Sequence, residues 1–176
     1  LRKFSFFVLL GYSMRFPVHS LRDMKWITPD GWKAFSQIDV LQTIGFTLIV
    51  LQLLVLTLKN KRAFAGLTFA LAMIIGFGAP FAWNSAAVNS LPLAVRSALV
   101  GTAGSPFQLM PWSAYIFLGA ALGTAYVILQ ATPRALRYAI PFGGLMVLAG
   151  VRLESVAHRL LSEANFWPTT PHLFVT

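Results

Sequence analysis

Leu41-Gln-Thr-Ile-Gly-Phe-Thr-Leu-Ile-Val-Leu-Gln-Leu-Leu-Val-Leu-Thr-Leu58 carries no charged residue along its whole length. A helix packed on a soluble core keeps a polar face toward water. Neither this stretch nor Leu67–Ala82 has one. Extended outward, the reading gives four apolar runs: Ala34–Leu58, Ala63–Ala82, Trp112–Gln130 and, more weakly, Leu136–Leu153. A fifth, Phe4–Phe16, opens the chain. No charge falls between Arg62 and Arg96 or between Arg96 and Arg134. Each gap has room for one crossing of roughly 20 residues through about 30 Å of hydrocarbon. The expectation is an all-α, polytopic transmembrane helix bundle of about five spans, forming a single membrane domain over residues 1–176.

Composition agrees. Hydrophobic residues make up 57% and charged residues 11%, where an ordinary soluble domain carries about 25% charged residues. The net charge of +9 does not indicate nucleic-acid binding, because the cations sit at the ends of apolar runs and form no stripe. With no cysteine in the chain, disulfides, zinc–thiolate sites and thiol nucleophiles are excluded. No His pair stands at metal-ligand spacing, and phosphate loops and nucleophile elbows are absent. Leu1-Arg-Lys3 runs into Phe4–Leu10 without a small-residue cleavage pattern, so no signal peptide is read there.

If every run crosses, the connections alternate sides. Trp26, Trp32, Trp83, Trp112 and Trp167 then share one face with His19, His158 and His172, and with Asp23, Asp30, Asp39, Glu154 and Glu163. The other face receives only Arg2-Lys3, Lys59–Arg62 and Arg134–Arg137. The 14 cations divide evenly, seven to a side, so the tally alone orients nothing. Density does: short, acid-free basic turns belong in the cytoplasm. The Lys59–Arg62 and Arg134–Arg137 turns are therefore expected there.

Between the first two spans, Thr28-Pro-Asp-Gly31 suits a helix start, with Thr28 as N-cap and Pro29 in the first turn. A short interfacial helix anchored by Trp26 and Trp32 is expected. Asp39, Gln42 and Thr43 stand at i, i+3 and i+4, on one helical face, with Gly45 close by. An ionisable residue within a span usually faces a protein interior or a watery cavity. Asp39 and Gln42 are the first candidates for lining a site, with a structural polar link as the competing reading. Arg22 and Trp112 are the further candidates. Gly119-Ala-Ala-Leu-Gly123 is a small-residue stripe for close helix packing, which leaves a homo-oligomer open. Gly76, Gly78 and Pro80 are expected to end or unwind the third span, and Pro141 with Gly143-Gly144 to do the same in the fifth. Glu154 and His158, at i and i+4, suit a surface pair better than an acid–base device.

Asp39-Val-Leu-Gln-Thr-Ile-Gly45 resembles the G-V-L-Q-R-I-G-type helix start of the heparan-α-glucosaminide N-acetyltransferase family and its bacterial relatives. Phe107-Gln-Leu-Met-Pro-Trp-Ser-Ala-Tyr-Ile-Phe-Leu-Gly-Ala-Ala-Leu-Gly123 resembles that family's F-P-x-x-P-W-x-x-x-x-x-x-G-x-x-x-G span, and Asn165-Phe-Trp-Pro-Thr-Thr-Pro171 the loop before its next helix. Asp39 stands where the family has glycine, and Thr43 where it has arginine.

The resemblance implies a multi-pass membrane acyltransferase, in a bacterial inner membrane. Such an enzyme takes an acetyl or other acyl group from acyl-CoA, a co-substrate and not a bound cofactor, on the cytoplasmic side. It passes the group to a saccharide or glycan acceptor on the far side. It also implies an internal fragment: the family's catalytic histidine lies on N-terminal helices, none of His19, His158 and His172 matches it, and no residue here takes a catalytic role. The rival expectation is a transporter or flippase-like protein without covalent chemistry.

Overall fold

Three capping residues divide the chain into helices. The computed structural model describes residues 2–18, 21–101, 104–130 and, beyond them, only 137, 141, 143–145, 147–148 and 152. Every element among the described residues is helical: α1 (Arg2–Met14), a 3-10 turn (Leu21–Trp26), α2 (Pro29–Ser36), α3 (Val40–Thr57), α4 (Lys61–Asn84), α5 (Ala86–Asn89), α6 (Leu93–Leu99) and α7 (Leu109–Leu129). The chain divides into two compact units, Leu1–Leu122 and Gly123–Thr176. Of the second, the continuous described part is the last turns of α7. The expected fifth span over Leu136–Leu153 falls mostly outside the described residues, as do His19, Glu154, His158, Glu163, Trp167 and His172.

Thr28 caps α2 as its sequence suggests, its hydroxyl accepting from Gly31 N at 3.2 Å, with Pro29 in the first turn. Trp26 and Trp32 are both exposed beside it. Asn60 caps α4, its side chain accepting from Arg62 N at 2.9 Å. The apolar run read as starting at Ala34 is in fact two elements. Ala34–Ser36 closes α2, the backbone extends through Gln37, and α3 begins only after Asp39. The break has a local cause: Asp39 accepts from Val40 N at 2.8 Å, while Gln42 Oε1 accepts from Asp39 N at 3.1 Å, a capping box. Hydropathy averaged over a window passes over that boundary, because the polar break Ser36-Gln-Ile-Asp39 is only four residues long and is followed by a long apolar run. The third span also differs from expectation: α4 does not stop at Gly76–Pro80 but continues to Asn84, whose Nδ2 donates to Pro80 O at 3.0 Å.

At about 1.5 Å per residue, α3, α4 and α7, with 18, 24 and 21 residues, reach about 27–36 Å. These three are long and apolar enough to cross a membrane. Helix α1, with 13 residues, spans only about 20 Å. It packs antiparallel on α3: Gly11 lies against Gln42, and Gly45 against Val8 and the Phe4 carbonyl. The end of α4 likewise meets the start of α7, with Gly76 beside Ala114 and Trp83 Nε1 donating to Met110 O at 3.1 Å.

Most of the buried residues are small or polar: Gln42, Thr43, Thr47, Thr68, Ser97, Ser105, Gln108 and Ser113, with Ala72, Ala79 and Ala121; Ile38, Val100 and Phe117 are the larger apolar side chains buried with them. Many other large apolar side chains point outward, Ile74 at 66%, Phe77 at 70% and Phe81 at 79% exposure. In water each such side chain would forfeit about 25 cal/mol per Å² of apolar area left wet. In hydrocarbon that penalty vanishes, and close approach plus hydrogen bonding between helices takes over as the organising force.

Candidate functional site

Several buried polar side chains lie at one end of the first unit, where α1 finishes, α3 starts, α4 finishes and α7 starts. Asp39 stands at the rim. Its Oδ2 accepts from Arg15 Nη2 at 3.3 Å, and Arg15 Nη1 also donates to Gln37 Oε1 at 3.1 Å and Ala34 O at 3.4 Å. Arg15 thereby ties the end of α1 to the α2–α3 junction. With side chains 25% and 39% exposed, the ion pair is partly screened and contributes at most about 1 kcal/mol.

Deeper in, Gln42 is fully buried over Gly11, and Thr43 donates its hydroxyl to the Phe107 carbonyl. The connection between α6 and α7 folds over this start of α3. Ser105 Oγ accepts from Ile38 N at 3.0 Å, and Ser97 Oγ donates to Ser36 O at 2.6 Å. Gly104 has φ +87°, which favours glycine; a Cβ there would also lie 2.8 Å from Gln37 Nε2, a side-chain end that can shift. Gly101 in this connection lies against both Gln108 and the Trp83 ring: a Cβ on it would come 3.0 Å from Gln108 Nε2 and 3.4 Å from Trp83 Cη2. Phe107, Trp112 and Tyr115 form an aromatic run, with centroid separations of 5.1 and 5.9 Å.

Several buried polar atoms have no hydrogen-bond partner among the described residues: Gln42 Nε2, both amide atoms of Gln108, Trp112 Nε1 and Arg96 Nε. An unpaired buried polar group costs about 1–3 kcal/mol. Native folds keep such groups rare, and buried groups of this kind are commonly completed by ordered water.

Of the four residues singled out from sequence, Asp39, Gln42 and Trp112 belong to this end. Arg22 lies exposed on the 3-10 turn, and the cation paired with Asp39 is Arg15. Arg15 had a visible signal, a lone cation closing an apolar run. Ser105 and Gln108 had none, because their roles depend on a connection folding back across more than sixty residues.

Asp39 supports a direct check. Asp39→Ala removes the cap and the ion partner, and should cost about 1–2 kcal/mol. Asp39→Asn keeps an oxygen for Val40 N and should recover most of that loss. Thermal midpoints in detergent decide it: if Asn and Ala are equally damaging, the ion pair and not the cap carries the residue's contribution. Comparison with protein-family models, with curated proteins and with solved structures returns no match to this chain.

Proposed function

We propose that this chain is part of an integral membrane acyltransferase, moving an acetyl or other acyl group from cytoplasmic acyl-CoA to a sugar or glycan acceptor on the far side. The observation that supports it is the set of buried, unpartnered side-chain donors at the Asp39 end of an otherwise apolar helix assembly. Polar atoms so placed are suited to a polar substrate and poorly suited to lipid. The motif resemblance around Asp39–Gly45 and Phe107–Gly123 supplies the reaction type. In this reading Asp39, Gln42 and Trp112 line the passage at the far leaflet, Arg15 and not Arg22 supplies the cation beside Asp39, and the basic Lys59–Arg62 turn faces the cytoplasm.

The chemistry balances without an oxidant. The thioester C–S bond breaks, a C–O or C–N bond forms to the acceptor, and the acceptor's proton leaves with the CoA thiolate. Side chains here bind and orient the acceptor, and none acts as the nucleophile.

Sealed vesicles bearing the full-length protein, with labelled acetyl-CoA on the cytoplasmic side and an amino sugar on the other, test this reading. Acetylated sugar with equimolar free CoA thiol is expected. Passage of unmodified sugar with no thiol release overturns it in favour of transport. A flippase-like reading has no separate observation in its support.

A further inference from the structure

Gln108 is fully buried, yet neither its amide oxygen nor its amide nitrogen has a partner among the described residues. Thr43, Thr47, Thr68, Ser97 and Ser113, on the neighbouring helices, all donate to carbonyls. Gln108 therefore departs from the local rule twice over, once as donor and once as acceptor. Its position is also held from several directions. Gly101 leaves room for the amide, the Trp83 ring lies against Gly101, and Trp83 is itself tethered to Met110 O at 3.1 Å. Four residues on, Trp112 Nε1 is another buried donor without a partner, on a ring that contacts Phe107 at 5.1 Å.

We propose that Gln108, assisted by the Trp112 indole N–H, is a specificity-determining residue that binds an uncharged, hydroxyl-bearing group of the ligand. A carboxamide presents one acceptor and two donors, and an indole presents a donor only. A hydroxyl both donates and accepts, so it meets the oxygen and the nitrogen of Gln108 together. Neither Gln108 nor Trp112 carries a charge that would offset burial of a charged ligand group there. The Trp112 ring, tilted 51° to Phe107 and 44° to Tyr115, is an aromatic face of the kind that packs on the apolar side of a hydroxylated ring. This inference rests on the acceptor reading above for its place in a reaction, but the binding it describes is measurable without turnover.

Replacing Gln108 by Met, of similar length and without polar atoms, separates ligand recognition from structural support. If the amide exists for the ligand, Gln108→Met loses an unpaired buried group and melts at the same or a higher temperature than wild type. Acceptor KM should then rise at least tenfold while the KM for acyl-CoA stays within twofold. In lipid nanodiscs, equilibrium binding of a neutral probe, methyl N-acetylglucosaminide, should weaken by the same factor. A lowered melting temperature with unchanged acceptor KM and unchanged probe affinity overturns the inference and makes Gln108 structural. Acyl transfer by wild type with an acceptor KM indifferent to Gln108→Met sinks the inference and leaves the acyltransferase reading standing. Probe binding weakened by Gln108→Met in a protein that transfers no acyl group does the reverse.

Discussion

Gly45→Leu is expected to give the largest loss of stability among single substitutions in the described helices. A Cβ at residue 45 would stand 2.6 Å from Val8 Cγ2, 3.1 Å from the Phe4 carbonyl oxygen and 3.1 Å from Val8 N. Val8 could rotate away, but the two backbone atoms cannot, so α1 has to separate from α3. Overpacking a well-fitted contact typically costs about 1–3 kcal/mol, and a rigid backbone neighbour places this variant at the upper end. For a chain of this size that is a drop of roughly 5–10 °C in thermal midpoint. Gly45→Ala should fall between wild type and Leu. Gly66 is the internal control: a Cβ there meets nothing within 4 Å, and alanine favours a helix over glycine by about 1 kcal/mol. Gly66→Ala is therefore expected to leave the midpoint unchanged or raised. Equal melting of the Gly45→Leu and Gly66→Ala proteins would refute the α1–α3 contact.

The second large effect is expected from Ser105→Ala. Ile38 is fully buried, and its backbone N–H is satisfied by Ser105 Oγ at 3.0 Å. Removing the hydroxyl strands that N–H, at a cost of about 1–3 kcal/mol. Ser13, whose exposed hydroxyl donates to Leu10 O at 2.8 Å, should tolerate alanine within about 0.5 kcal/mol. Chemical denaturation of both variants in mild detergent would compare them directly. Because Ser105 lies three residues before Gln108, its loss should also weaken acceptor binding, a coupling that Ser13→Ala should not show.

Fold class was the most legible feature. In α3, α4 and α7 the apolar run is long, uncharged and lacks a polar face, and each became a helix of membrane-crossing length. Thr28-Pro29 announced α2 because capping chemistry is local and acts over three residues. The helix start at Asp39 was legible as well, but the apolar run drawn from Ala34 to Leu58 hid the break that separates α2 from α3. Hydropathy averages over a window, whereas the Asp39–Gln42 capping box resets the backbone at one residue. Pro80 and the glycines before it were read as a terminus, yet α4 continues beyond them to Asn84.

The candidate site was half legible. Asp39 and Gln42 were visible as polar residues on one face of an apolar helix, where burial of polarity demands an explanation. Their partners were not. Arg15 reaches Asp39 across 24 residues, and Ser105 reaches Ile38 across 67. By itself, the order of residues determined which segments become helices, where three of them start, and that their outer surfaces favour lipid. These follow from periodicity and capping, which act within a turn or two. Only the tertiary structure decided that α1 docks on α3 through glycine contacts, and that the stretch before α7 closes over the start of α3. It also decided that Gln108 ends up buried with its amide unpaired. Those outcomes depend on which distant surfaces fit, and shape complementarity leaves no periodic trace along the chain.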